Sequence, residues 1–165
     1  MDPNPIIFME HKLIYKIKDN LELNDIPKEP SMLGKANIAS EGKDITIVSY
    51  SNMVNVAKEA IAAEELKNYS IELIDLQTVS PIDYDTIKTS LKKTKKLLVC
   101  QEAPSNSSVG TTVISKIVES ELFQELEIAP KLVSGLHSPM PSAKHLELNV
   151  IPQVEDITNA VKSML

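Results

Sequence analysis

Four consecutive apolar residues, Leu97-Leu98-Val99-Cys100, constrain this chain more than any other stretch. Lys95-Lys96 precede them and Gln101-Glu102-Ala103-Pro104 follow. An unbroken apolar run of strand length reads as a strand covered on both faces. Such strands belong to parallel sheets flanked by helices. Residues 101–108 read as a polar loop closing the strand, and a helical pattern begins at Val109. In open α/β sheets, ligands and partners meet the chain at the carboxyl ends of strands. Gln101 and Glu102 stand at that position.

The neighbouring segments supply the rest of such a sheet. Asp44-Ile45-Thr46-Ile47-Val48-Ser49-Tyr50 predicts a strand, with Ser51 or Asn52 as the cap of the next helix. That helix carries Met53, Val54, Ala57, Ala60, Ile61 and Leu66 on one side. Residues 71–76 predict a further strand. Ser80-Pro81-Ile82-Asp83 has the order of a helix start: Ser80 as cap, Pro81 first in the helix, and Asp83 as the capping acid. Ile87 and Leu91 form that helix's apolar side, and Lys92, Lys93, Lys95 and Lys96 suit its carboxyl end or a phosphate patch. Val113, Ile114, Ile117 and Val118 form another helical stripe, and 121–126 reads as a short helical turn. Leu132-Val133 predicts a last strand, 135–142 a loop, and Val154, Ile157, Ala160, Val161 and Leu165 a closing helix. The alternation from residue 44 predicts an α/β fold in three layers, a mainly parallel sheet with helices on both faces. Before it, Ile6-Ile7-Phe8-Met9 reads as a short strand, and 16–31, with Pro27 and Pro30, reads as a linker.

Charge narrows the partners. Seventeen basic residues, all lysine, stand against 23 acidic ones, a net −6. That balance disfavours nucleic acid and anionic membranes and suits a basic protein partner. No apolar run approaches the ~18 residues of a membrane span. The single cysteine forms no disulfide within the chain and, inside an apolar strand, reads as inert core. His11, His137 and His145 have no metal-ligand spacing. Ser105-Asn106-Ser107-Ser108-Val109-Gly110 precedes a helix and could face an anion, yet lacks the glycine pattern of a phosphate loop. Glu102 is the most suggestive acid, and His137 is the best proton-transfer candidate by residue type. A free-standing α/β enzyme or small-ligand binder would use Glu102, His137 and that loop. No complete catalytic set is legible.

Several phrases, in order, resemble one family. They are residues 2–15 (DPNPIIFMEHKLIY), Leu33-Gly34-Lys35-Ala36, 41–50 (EGKDITIVSY), 74–83 (IDLQTVSPID), 93–104 (KTKKLLVCQEAP), Pro139-Met140-Pro141 and Ile151-Pro152. Together they resemble the beta subunits of thiamine-diphosphate-dependent 2-oxo acid dehydrogenases, the pyruvate, branched-chain and acetoin dehydrogenase group. The chain departs from the family at Gln101, where His is common, at Ser107-Ser108, where Gly-Gly is common, and at Thr111-Thr112, where Ala-Glu is common.

The resemblance implies a domain plan and a role. Residues 1–31 correspond to the end of a pyrimidine-binding domain plus linker, and 32–165 to a transketolase C-terminal-like domain. The family glutamate that activates thiamine diphosphate lies outside this stretch. No catalytic, cofactor-binding or metal residue is therefore expected here, and thiamine diphosphate with magnesium belongs to the whole enzyme. Implied partners are an alpha subunit in an α₂β₂ heterotetramer, a second beta subunit, and the basic subunit-binding domain of the acyltransferase core. Glu121, Glu125 and Glu127, with Glu119 beside them, are the implied docking acids. Gln101, Glu102 and His137 would stand near the active-site entrance. Pyruvate is the first-choice substrate, before acetoin or a branched-chain 2-oxo acid. The implied location is the cytoplasm in a bacterium, or the mitochondrial matrix or plastid in a eukaryote.

Overall fold

The computed structural model describes residues 4–18 and 32–165, and the chain divides into two compact units, Met1–Pro30 and Ser31–Leu165. In the first unit, residues 6–9 form no strand, against expectation. A strand is held by ladder hydrogen bonds to a neighbour, and among the described residues none pairs with these. The only regular piece described there is a 3₁₀ turn, Ile14–Lys16. The expected linker falls largely on residues 19–31, outside the described residues.

The second unit is built on a five-stranded sheet in the order β1-β3-β2-β4-β5. The strands are β1 (Asn37–Ser40), β2 (Ile45–Ser49), β3 (Ile71–Asp75), β4 (Leu97–Pro104) and β5 (Lys131–Gly135). β2, β3, β4 and β5 run parallel, while β1 pairs antiparallel with β3. β1 was not legible as a strand: its four residues are too few to show an alternation, and two of them are exposed.

Side-chain alternation sorts the core into two layers. Ile45 and Ile47 of β2, Ile71 and Leu73 of β3, and Leu98 and Cys100 of β4 face α1 (Met53–Ile61) and α5 (Val154–Lys162). Val48, Ile74, Leu97 and Val99 face α2 (Tyr84–Thr94) and α3 (Val109–Val118). The central strands are thus apolar on both sides, and the expected three-layer α/β architecture is present. A one-turn α4 (Lys144–Glu147) lies in the long connection from β5 to α5. Val118 is 42% exposed and lies off the α3 stripe. Met164, not Leu165, is the buried residue at the chain's end, because α5 stops at Lys162 and the face turns with the backbone.

Three helix starts differ in instructive ways. α1 has no side-chain cap: Asn52 is already in the helical backbone region, and Ser51 before it has φ +58°. α2 begins three residues later than Ser80-Pro81 suggested, with Asp83 as the cap and Tyr84 as the first helical residue. The Asp83 carboxylate accepts the Thr86 N–H at 3.2 Å, the Thr86 hydroxyl at 2.8 Å and, from the segment just before β1, the Ala36 N–H at 3.1 Å. Burial works against its charge, but these bonds and the Lys35 ammonium at 3.8 Å hold its pKa below the usual carboxylate value. α3 is closed by a reciprocal box in which Ser108 Oγ accepts the Thr111 N–H and Thr111 Oγ1 accepts the Ser108 N–H.

Candidate functional site

The carboxyl end of the sheet carries the residues that sequence singled out, and the structure sorts them. Gln101 is not in a loop. β4 continues to Pro104, and Gln101 is fully buried within it. Its Nε2 donates to the carbonyls of Ala103 (2.9 Å) and Pro104 (3.0 Å), and its Oε1 accepts the Gly110 N–H at 2.7 Å. The side chain is therefore occupied as a clasp between the strand end and the start of α3. The same bonds close the candidate anion loop. The N–H groups of Ser108, Gly110 and Thr111 are all taken within the protein.

Glu102 is partly buried beside Tyr50 at the end of β2. Burial, then the Glu102 charge, raises the Tyr50 phenol above its usual pKa. His137 is exposed in the loop after β5, two residues past Gly135, which pairs in register with Pro104. Glu102 and His137 thus stand at the same end of the sheet. Asp75 closes β3 at this edge, where burial raises its pKa against the Gln77 N–H bond and the Lys58 charge. Tyr50 and Asp75 were missed in the sequence, and the only signal was their place as last polar residues of strands. Cys100 is fully buried, and burial pushes its thiol pKa up, so it is no nucleophile. Among the described residues, this edge brings together the carboxylates of Asp75 and Glu102, the Tyr50 phenol and the exposed His137 imidazole.

The acids expected to dock a partner are brought to one segment. Glu121 and Glu125 begin and end a 3₁₀ turn pinned by buried Leu122, and both are exposed. Neither makes an ion pair among the described residues. Glu119 is committed to Lys116 at 2.8 Å, and Glu127 lies 3.8 Å from Lys96.

A buried polar cluster at the opposite end of the sheet was not anticipated. Glu72 of β3 is 1% exposed. It accepts a hydrogen bond from Lys93 of α2 and, at 3.2 Å, the N–H of Gly42. Beside it, Thr46 bonds Ser90 and Thr94 of α2, each at 2.6 Å. Burial opposes the Glu72 charge, but the bonds from Lys93, Ser90 and Gly42 outweigh it and hold the carboxyl below its usual range. The sequence sign was a lone Glu in an apolar strand opposite a Thr. Among the described residues, no group of three His, Cys, Asp or Glu side chains could hold a metal ion, and no helix is long and apolar enough to cross a membrane.

A mainly parallel sheet with α1 and α5 on one face and α2 and α3 on the other defines a three-layer α/β domain. The family model for the transketolase C-terminal domain matches residues 34–157, and the chain belongs to that family. It is 38% identical over 163 residues to the pyruvate dehydrogenase E1 component subunit beta of Rickettsia bellii (strain RML369-C), covering 99% of this chain and 49% of that protein. It is 35% identical to the mitochondrial subunit beta-2 of Oryza sativa subsp. japonica (98% and 43% covered) and 37% identical to the mitochondrial subunit beta of Dictyostelium discoideum (98% and 45%). The chain therefore spans about half the length of the curated relatives it matches, and corresponds to their C-terminal part. Among solved structures, a split-gene transketolase described as an inactive beta4 tetramer superimposes with a TM-score of 0.69 at 23% identity, covering 84% of this chain and 45% of that one. That likeness is one of fold.

Proposed function

We propose that this chain serves as the C-terminal portion of the beta subunit of the dehydrogenase component of a 2-oxo acid dehydrogenase complex, with pyruvate as the complex's substrate. The observation that carries the reading is similarity along 99% of the chain to about half of a pyruvate dehydrogenase beta subunit. The role is assembly with an alpha subunit and a second beta subunit, and docking of the basic subunit-binding domain of the acyltransferase core on Glu121, Glu125 and Glu127. The domain plan is that of the relatives' C-terminal half: 1–31 completes a preceding pyrimidine-binding domain, and 32–165 is the transketolase-type domain. The reaction is decarboxylation of pyruvate on thiamine diphosphate with transfer of the acetyl group to lipoyl. Thiamine diphosphate with magnesium belongs to the whole enzyme, and no step is assigned to the residues of this chain. The place of action is the cytoplasm of a bacterium, or a mitochondrion or plastid.

The test is reconstitution. The chain alone should give no pyruvate-dependent reduction of an artificial electron acceptor. Co-expression with an alpha subunit and the preceding half of a related beta subunit should restore it. Micromolar binding of thiamine diphosphate with magnesium by this chain alone, seen by calorimetry, would overturn the reading.

A further inference from the structure

The chain leads into β1 along a short path that is fastened by polar contacts and buried nowhere. No residue from Met32 to Ala36 is buried, and Met32 and Leu33 are exposed. Ala36 alone packs against the core, and only in part. The Gly34 N–H donates to Thr78 Oγ1 at 3.2 Å, and the Ala36 N–H donates to Asp83 Oδ2 at 3.1 Å. The Lys35 ammonium lies 3.8 Å from that same Asp83 oxygen. Thr78 and Asp83 both belong to the connection between β3 and α2. Gly34, at φ +75°, lets the backbone cross that connection closely: a Cβ there would lie 3.0 Å from Pro81 Cγ. β1 follows at once, with Asn37 in register with Asp75 at the carboxyl end of β3. Asp83 holds this path and caps α2 with one buried carboxylate. Its Oδ1 accepts the Thr86 N–H, and its Oδ2 accepts both the Thr86 hydroxyl and the Ala36 N–H.

We propose that residues 34–36 form a releasable strap, which opens while the rest of the domain stays folded and so switches the chain ahead of the domain between two free lengths. A segment with few buried apolar contacts and a few hydrogen bonds opens at less cost than global unfolding. Closed, the strap anchors the chain at Gly34. Open, the first anchored residue is Asn37 of β1, and the free chain gains residues 34–36, roughly 10 Å of reach at ~3.3–3.6 Å per residue. The cap of α2 outlasts the opening, because both Thr86 bonds to Asp83 remain. The two tasks of Asp83 are separable by chemistry. Asparagine caps a helix about as well as aspartate, but it has no charge and no second acceptor oxygen to offer the strap. The device does not depend on the proposed function.

Amide hydrogen exchange on the 165-residue chain, read residue by residue by NMR, tests it. In the wild type the Gly34 and Ala36 amides should exchange at least about tenfold faster than those of β2 and β4, which open only with the whole domain. Asp83→Asn should speed exchange at Ala36 by about tenfold or more, the worth of one charge-assisted hydrogen bond. The Thr86 amide, which reports the cap, should change by less than about threefold, since asparagine still caps. Thr78→Val removes the other fastening without touching Asp83. It should speed exchange at Gly34 and Ala36 together, and it keeps the test open if Asp83→Asn fails to fold. Thr89→Val, on α2 and away from the strap, should leave both amides unchanged. Wild-type exchange at Ala36 as slow as in β2 would mean that the segment opens only with the domain, and would overturn the proposal. So would unchanged strap exchange in both folded variants, or an Asp83→Asn chain in which Ala36 and Thr86 speed up equally.

Discussion

The Oε1 of Gln101 and the N–H of Gly110 meet at 2.7 Å inside the protein, across the turn that joins β4 to α3. A Cβ on Gly110 would lie 2.7 Å from that same Oε1 and 2.6 Å from Leu132 Cδ1. The glutamine and the glycine therefore specify each other. The glycine is needed for close approach, not for an unusual backbone angle.

Gly110→Ala should accordingly destabilise the domain by roughly 1–3 kcal/mol through overpacking. Gln101→Leu should cost about 2–4 kcal/mol, because the carbonyls of Ala103 and Pro104 and the Gly110 N–H lose their partner together. Urea unfolding followed by circular dichroism measures both. Wild-type midpoints for either variant would show that the clasp is incidental.

The Glu72–Lys93 pair should give the domain an acid limb. The folded pKa of Glu72 is lowered from its ordinary 4.5. Its contribution is therefore complete above that value and is lost as pH falls through the lower folded pKa. Glu72→Gln should flatten stability below about pH 4.5 relative to wild type. Lys93→Met should cost roughly 1–3 kcal/mol at neutral pH, less than for a fully buried pair because the Lys93 side chain is 43% exposed. Melting temperatures across pH 3–7 read out both, and identical acid limbs in wild type and Glu72→Gln would remove Glu72 as the cause.

Cys100 should react slowly with a thiol reagent under native conditions and at full rate in denaturant. It is fully buried in the central strand, and burial disfavours the thiolate that would react. Complete native labelling within seconds would contradict the placement of β4.

Charge reversal tests the docking role proposed for Glu121, Glu125 and Glu127. Lysine replacements at Glu121, Glu125 and Glu127 should weaken binding of the acyltransferase module, while the same change at Glu59 and Glu65, exposed on the α1 side, should do little. Binding should fall between low and physiological salt, as rim charge pairs do. Equal effects from the two sets of replacements, measured by surface resonance, would make the first set an ordinary solvated surface.

Much of the fold was legible because its signals are local. The runs in β2, β3 and β4, the stripes Met53-Val54-Ala57-Ala60 and Ile87-Leu91, and the order of strands and helices all follow from periodicity. Periodicity decides which faces must be buried, and two apolar faces on a strand demand two helical layers. The Ser108 box was hidden because the segment's composition suits a loop and a helix start equally.

What only tertiary structure decided are the polar side chains whose partners are distant in sequence. Asp83 caps α2 rather than Ser80 because it also receives the Ala36 N–H, 47 residues away. Glu72 is tolerated inside the sheet because Lys93 of α2 reaches it across 21 residues. Gln101 turns inward because Gly110 admits it, and β1 is a strand only because β3 offers an open edge. Apolar burial is non-directional, so a sequence pattern suffices to specify it. A buried hydrogen bond needs one partner at one distance and angle, and that partner exists only once the chain has folded.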